Sequence, residues 1–200
     1  MTPTEILMGE HRVIETVLSC LETMAARCEE RGTVDAKSAH EAVDFFRGFA
    51  DRCHHGKEEA ELFPALEARG FSHDQGPTAV MRAEHVEGRR FLAEIDRAID
   101  GAAAAAPRAA RTFVESARRY VALLREHIQK EDHCLFPMAD GALTSEDQAA
   151  LLERFERVEH HDLGVGAHGR YIDLAEVLAA RFDVPRHDLA AGQGCRGHDA

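Results

Sequence analysis

Two hundred residues, 44% of them hydrophobic and 30% charged, suffice for one compact domain with its own core. Subtracting 36 acidic from 24 basic side chains leaves a net charge of -12, which argues against nucleic-acid or anionic-membrane partners, because phosphate surfaces are met by clustered Lys and Arg. No uncharged apolar run approaches the roughly 18–20 residues of a membrane span, and the opening Met-Thr-Pro-Thr-Glu has no signal-peptide character, so a cytoplasmic protein is expected.

Four helical patterns follow one another, each with apolar positions three and four residues apart, and glycine-bearing breaks fall near Gly32, Gly70, Gly101 and Gly141. The first stripe reads Leu7, His11, Ile14, Leu18, Leu21, Ala25, Cys28, and the third reads Met81, His85, Gly88, Leu92, Ile95, Ile99. Each puts a histidine where a core residue belongs. The second (Val43, Phe46, Ala50, His54, Glu58, Leu62) and the fourth (Phe113, Ala117, Tyr120, Leu124, His127, Glu131, Leu135) turn a histidine and a glutamate inward together. Helices of about 25 to 30 residues on short connections predict an all-α, up-down-up-down four-helix bundle over residues 1–142. Ser145 and Gln148, at capping-box spacing, predict the start of a fifth helical segment. Residues 143–184 are therefore expected to form a helical extension packed on the bundle, and 185–200, with little to bury, a disordered tail.

Five cysteines, at 20, 28, 53, 134 and 195, show no C-x-x-C spacing and fall mostly inside helical apolar patterns, so reduced, buried thiols are expected. There is no G-x-S-x-G and no glycine-rich phosphate loop, which leaves hydrolase and nucleotide-binding readings unsupported. The unusual number is thirteen histidines.

Several of these histidines belong to an internal repeat. His54-His55-Gly56-Lys57-Glu58-Glu59-Ala60-Glu61-Leu62-Phe63-Pro64 overlays His127-Ile128-Gln129-Lys130-Glu131-Asp132-His133-Cys134-Leu135-Phe136-Pro137, a shared H-x-x-K-E-[ED]-x-x-L-F-P displaced by 73 residues. Upstream, Glu10-His11 corresponds to Glu84-His85, so the chain reads as a duplicated helical hairpin. The register pairs His54 with His127 and Glu58 with Glu131, and so prefers His54 and Glu58 over the competing pair His55 and Glu59. Residues four apart lie one turn above each other, so each H-x-x-x-E puts an imidazole and a carboxylate on one face. Four imidazoles and two carboxylates buried together are costly unless a cation compensates them. A glutamate from each half bridging two ions, with two histidines on each, is the arrangement of carboxylate-bridged dinuclear sites in helical bundles. Nitrogen and oxygen donors without thiolate favour iron or manganese, zinc being an alternative, and two iron ions are the reading adopted. Glu10 and Glu84 project roughly 100° from the donor histidines; they either back a neighbouring imidazole or lie on a solvated face. Cys53 and Cys134 are expected to pack, and His187, Cys195 and His198 carry only a weak metal-binding signal.

At these residues the chain resembles the hemerythrin family, in particular bacterial hemerythrin-like proteins with an HHE cation-binding domain. The resemblance covers about residues 4–140. It implies a four-helix bundle around a non-haem di-iron centre, oxo- or hydroxo-bridged, with His11, His54, Glu58, His85, His127 and Glu131 as metal ligands. Oxygen-carrying members have a second histidine one turn after the third-helix ligand; here that position is Arg89, which departs from the carrier's asymmetric ligand set. The remaining four-histidine, two-glutamate set is similar to the branch associated with iron-sulfur repair and nitric oxide chemistry, although that branch's cysteine-bearing amino-terminal segment is missing from this sequence.

The expected function is binding or turnover of a small oxidant (oxygen, hydrogen peroxide or nitric oxide), with catalase-like or peroxidase-like oxidoreductase activity the most concrete form and an electron donor of unknown identity. The alternatives are a non-catalytic oxygen or nitric oxide binding or sensing module, and an iron-handling or repair protein. In the extension, Glu159, beside His160, His161 and His168, is the candidate for an extra ligand or gate at the mouth of the bundle.

Overall fold

A computed structural model describes residues 1–159, 164 and 166–185. Helix α1, Pro3–Arg31, opens with a capping box, in which Thr2 accepts from the Glu5 amide while the Glu5 carboxylate accepts from the Thr2 amide, and Pro3 fills a first-turn position that needs no donor. It stops at Gly32, whose φ of 74° only glycine adopts without strain. Asp35 caps α2, which spans 36–68; α3 is Pro77–Ala103, and α4 spans 107–142. Pro77 and Pro107 again sit in the first turns. The described residues form helices and no strand, a bundle as expected: α1 packs on α4 and α2, and α3 packs on α4 and α2.

Among the described residues two helices follow the bundle, α5 (Ser145–Val158) and α6 (Ala167–Phe182). The cap of α5 differs from the expected one. Thr144, not Ser145, accepts from the third amide, and Asp147, not Gln148, closes the box. Leu151 and Phe155 of α5 join an apolar cluster with Leu7, Leu62, Phe63 and Phe136. Tyr171 and Leu178 of α6 join a second cluster with Phe45, Phe46, Phe49 and Phe113. Tyr171 lies so close over Gly48 that a methyl group there would sit 1.9 Å from its hydroxyl. Most of the tail, 186–200, and with it His187, Cys195 and His198, lies outside the described residues, as do His160 and His161.

The second and fourth helices are not wound uniformly. Phe46–His55 and Glu58–Leu62 in α2, and Glu131–Leu135 in α4, form π turns. The amides of Phe63 and Phe136 bond five residues back, to the carbonyls of Glu58 and Glu131. The next residue in each case is the proline of the repeat, which has no amide to donate and whose ring crowds the carbonyl four residues back in an α turn. A wider turn at that point accommodates it, and such turns gather at functional sites.

Cys20, Cys28 and Cys53 are buried and free, as expected, but Cys134 is exposed, its sulfur 3.8 Å from that of Met138. It falls in the π segment of α4, where a strict 3.6-residue reading of facing direction no longer holds.

Candidate metal centre

Between the two apolar clusters lies a polar layer. His11, His54, Glu58, His85, His127 and Glu131 all converge there, each no more than 1% exposed. The Nε2 atoms of His11 and His54 are 3.0 Å apart, and those of His85 and His127 are 3.1 Å apart. The two glutamates span the pairs. Glu58 lies 3.5 Å from His54 Nε2 through one oxygen and 3.4 Å from His85 Nε2 through the other. Glu131 Oε2 lies 3.2 Å from His11 Nε2 and 3.3 Å from His127 Nε2.

The opposite edge of every ring is held by a carboxylate. Nδ1 donates to Asp132 in His11 (2.7 Å), to Glu10 in His54 (2.9 Å), to Glu59 in His85 (2.6 Å) and to Glu84 in His127 (2.9 Å). An ionised carboxylate only accepts, so the proton of each neutral ring sits on Nδ1 and the Nε2 lone pair faces the interior. Each backing carboxylate is in turn paired with a cation: Glu10 with Lys57, Glu84 with Lys130, Asp132 with Arg12 at 2.5 Å, and Glu59 with Arg89 at 2.9 Å. The Lys and the [ED] of the repeat therefore have structural roles. Each half's lysine anchors the acid that backs its own histidine, and each half's acid backs the Glu-His histidine of the other half. Recurrence of these residues at the same offsets was the sequence signal for them. Of the two readings of Glu10 and Glu84, the structure gives the backing role.

The interior is chemically unfinished without a cation. All four carboxylate oxygens of Glu58 and Glu131 are buried with no hydrogen-bond donor. They face imidazole lone pairs, so acceptor meets acceptor. Burial, then the facing Glu131, pushes the Glu58 carboxyl well above its ordinary range. Burial and the neighbouring imidazoles push His54 down to about 4 and His85 well down, which keeps both rings in the neutral, ligating form. Burial acts to lower His11 as well, but Asp132 and Glu131 outweigh it and raise this ring to about 9. Beside Glu131 and Asp132 positive charge is favoured, and metal ions supply it with the right donors.

A seventh residue joins the site. His55, 5% exposed, stacks on His85 with ring centroids 3.8 Å apart. Donor atoms of His55, Glu58, His85 and His127 form one group within metal-holding distance of one another, and those of His11, His54, Glu58 and Glu131 form a second, with Glu58 common to both. Asp51 lies 3.4 Å from His55 Nδ1, and Arg89 bonds Asp51 as well as Glu59. The repeat register prefers His54 over His55; in the structure both point inward, because a wide π turn separates successive residues by a smaller angle. Arg89 thus occupies the carrier's second-histidine position, and a third imidazole reaches the same side from α2. Its counterpart in the other half is Ile128, so one side has three imidazoles and the other two.

Glu159 is in neither donor group. It bonds Lys57 Nζ at 2.6 Å, and His168 lies 3.3 Å from Glu10. Glu10, Glu159 and His168 are near enough to hold a cation, and the Lys57 ammonium, bonded to both glutamates, already fills that role.

The sequence profile of the hemerythrin HHE cation binding domain matches residues 2–139. The chain belongs to that family. Hemerythrin HHE domains bind metal, and the two donor groups of this one are of the kind that hold it. This hemerythrin-like chain is also 27% identical over 173 residues to uncharacterized proteins of Mycobacterium bovis and of two strains of Mycobacterium tuberculosis, covering 86% of its own length and 67% of theirs. That similarity extends past the 138 residues matched by the family profile. No solved structure matches the chain. Among the described residues no helix is long and apolar enough to cross a membrane.

Proposed function

We propose that this hemerythrin-like protein holds two iron ions and binds or turns over a small oxidant: oxygen, hydrogen peroxide or nitric oxide. The observation that carries the reading is the set of four donor-less carboxylate oxygens on Glu58 and Glu131, buried between two groups of inward-facing imidazole lone pairs. His11 and His54 would hold one ion, His85, His127 and His55 the other, with Glu58 and Glu131 between them. The donors are nitrogen and oxygen without thiolate, which suits iron over softer metals, with manganese or zinc as other occupants. An adjacent pair of irons supplies two one-electron redox centres, so a two-electron oxidant such as peroxide matches its capacity.

The size of the ligand follows from packing. The Phe136 ring lies 5.5 Å from His11 and the Phe63 ring 6.0 Å from His85, centroid to centroid, and every donor residue is at most 5% exposed. Such a layer suits a diatomic molecule or peroxide, not an organic substrate. Each donor group has four residues, with Glu58 common to both, so either ion would keep open positions for the small molecule. The four Nδ1–carboxylate bonds fix the rings so that donor geometry persists through a change of charge.

The test is metal content per chain, with an electronic spectrum, on protein from iron-replete cells, beside a His54→Ala, His127→Ala double variant. Two irons per chain and an oxo-bridge absorption that the variant loses are expected. Peroxide consumption and spectral change with oxygen or nitric oxide then separate turnover from reversible binding. Absence of iron, or a metal indifferent to the variant, would sink the reading.

A further inference from the structure

The duplication makes the two halves of the centre comparable residue by residue, and they differ in how they are covered. In one half His54 is backed by Glu10 and Lys57, whose side chains are 4% and 0% exposed. In the other, His127 is backed by Glu84 and Lys130, at 17% and 41%. The difference lies in α5 and α6, which lie outside the duplication. Glu159, at the end of α5, bonds the Lys57 ammonium at 2.6 Å, Phe155 places its ring 5.7 Å from it, and His168, in the first turn of α6, reaches Glu10 at 3.3 Å.

A fully buried ammonium is stable only with its charge matched and its donors used. Lys57 meets this with two carboxylates, one on α1 and one on α5. For His54 to swing away from a bound ion, its Nδ1–H must leave Glu10 or carry Glu10 with it. Glu10 is clamped by Lys57 and His168, so that motion requires the end of α5 and the start of α6 to move too. At His127 the same motion opens only a partly exposed pair.

We propose that Glu159 and His168 are positioning residues through which the two C-terminal helices lock one of the two metal positions, the His11/His54 position, against exchange. The inference rests on the dinuclear reading above. His55 adds a donor to the other position, and so also affects the order in which the two ions leave. The informative quantity is therefore the change each substitution causes, not the order itself.

The experiment loads the full chain anaerobically with ferrous iron, measures stoichiometry, and follows release to excess ferrozine. With two irons per chain, Glu159→Gln combined with His168→Gln is expected to speed release of one equivalent about tenfold while leaving the other within about twofold, a size typical of losing a group that supports a ligand. Lys130→Met is expected to act on the opposite equivalent, so that combining all three substitutions accelerates both. Glu159 and His168 are 23% and 20% exposed, and the single Glu159→Gln change carries the test if the double variant unfolds. A general loosening of the fold speeds both equivalents together, and that result, or no change in either, overturns the proposal. If the unmodified chain holds other than two irons, the dinuclear reading has failed and the lock falls with it; stoichiometry, measured first, tells the two failures apart.

Discussion

Glu10 and Glu84 belong to neither of the two donor groups that share Glu58, yet they decide which nitrogen of His54 and His127 carries the proton and how firmly each ring is aimed. Glu10→Gln or Glu84→Gln is expected to weaken metal binding by about 10- to 100-fold with helix content unchanged, checked by competition against a chelator of known affinity. His55 makes a second prediction. Replacing it by isoleucine, the residue at the equivalent place in the other half, leaves two imidazoles on each side. The His55→Ile chain is expected to keep two irons, hold one of them more weakly, and show Mössbauer signals of two more similar sites; unchanged affinity would mean that His55 is only a packing residue. Much at this scale was legible beforehand. Six buried donors stood out because the repeat placed three donor positions on an apolar stripe, each of them twice. His55 did not, because its partner in the repeat is Ile128 and its inward direction depends on a local winding that a 3.6-residue period does not contain.

Winding is the property of the helices that periodicity alone missed. The four long stripes located the bundle, since a 3.6-residue pattern survives a single wide turn with only a local slip in phase. The π turns at Glu58–Leu62 and Glu131–Leu135 precede Pro64 and Pro137, and together with the upstream π segment Phe46–His55 they re-aim side chains in segments that carry donors. The extension was legible as helical from its apolar spacing, but the partner of Glu159, the candidate extra ligand or gate, was not: its carboxylate meets Lys57, a buried cation that no stripe announces. One contact tests how far α6 depends on the bundle. Gly48 leaves room for Tyr171, and a methyl group there meets the ring carbons as well as the hydroxyl. Gly48→Ala is expected to cost about 1–3 kcal/mol, the usual range for overpacking a filled core, read as a lower urea midpoint. Because α6 brings His168 to Glu10, the same variant is expected to release iron faster; a chain with normal stability and release would show that α6 does not bear on the site.

At the scale of the whole molecule, the centre makes folding and metal binding one equilibrium. The buried acceptors of Glu58 and Glu131 gain partners only when cations are bound, so metal stabilises the folded chain and not the unfolded one. At free metal a thousandfold above its dissociation constant this contributes about 4 kcal/mol per site. For a chain of this size each kcal/mol moves the melting temperature by about 2–4 °C, so chelation is expected to lower it by about 10 °C or more. The pH dependence follows from His11, which folding raises from its ordinary 6.5 to about 9 as Asp132 and Glu131 outweigh burial. In the metal-free chain a raised pKa is stability present below pH 6.5 and lost as pH climbs toward 9. His54, lowered to about 4, has the opposite sign and acts only as pH falls below 6.5, so above that value His11 sets the trend together with the raised Glu58 carboxyl, which has the same sign. In the loaded chain an ion occupies the place of that proton, and binding strengthens as pH rises. The gap between the two melting temperatures is therefore expected to widen from pH 6.5 to pH 9. Scanning calorimetry with and without chelator at the two ends of that window measures it. A gap that narrows would mean that His11 does not exchange its proton for metal.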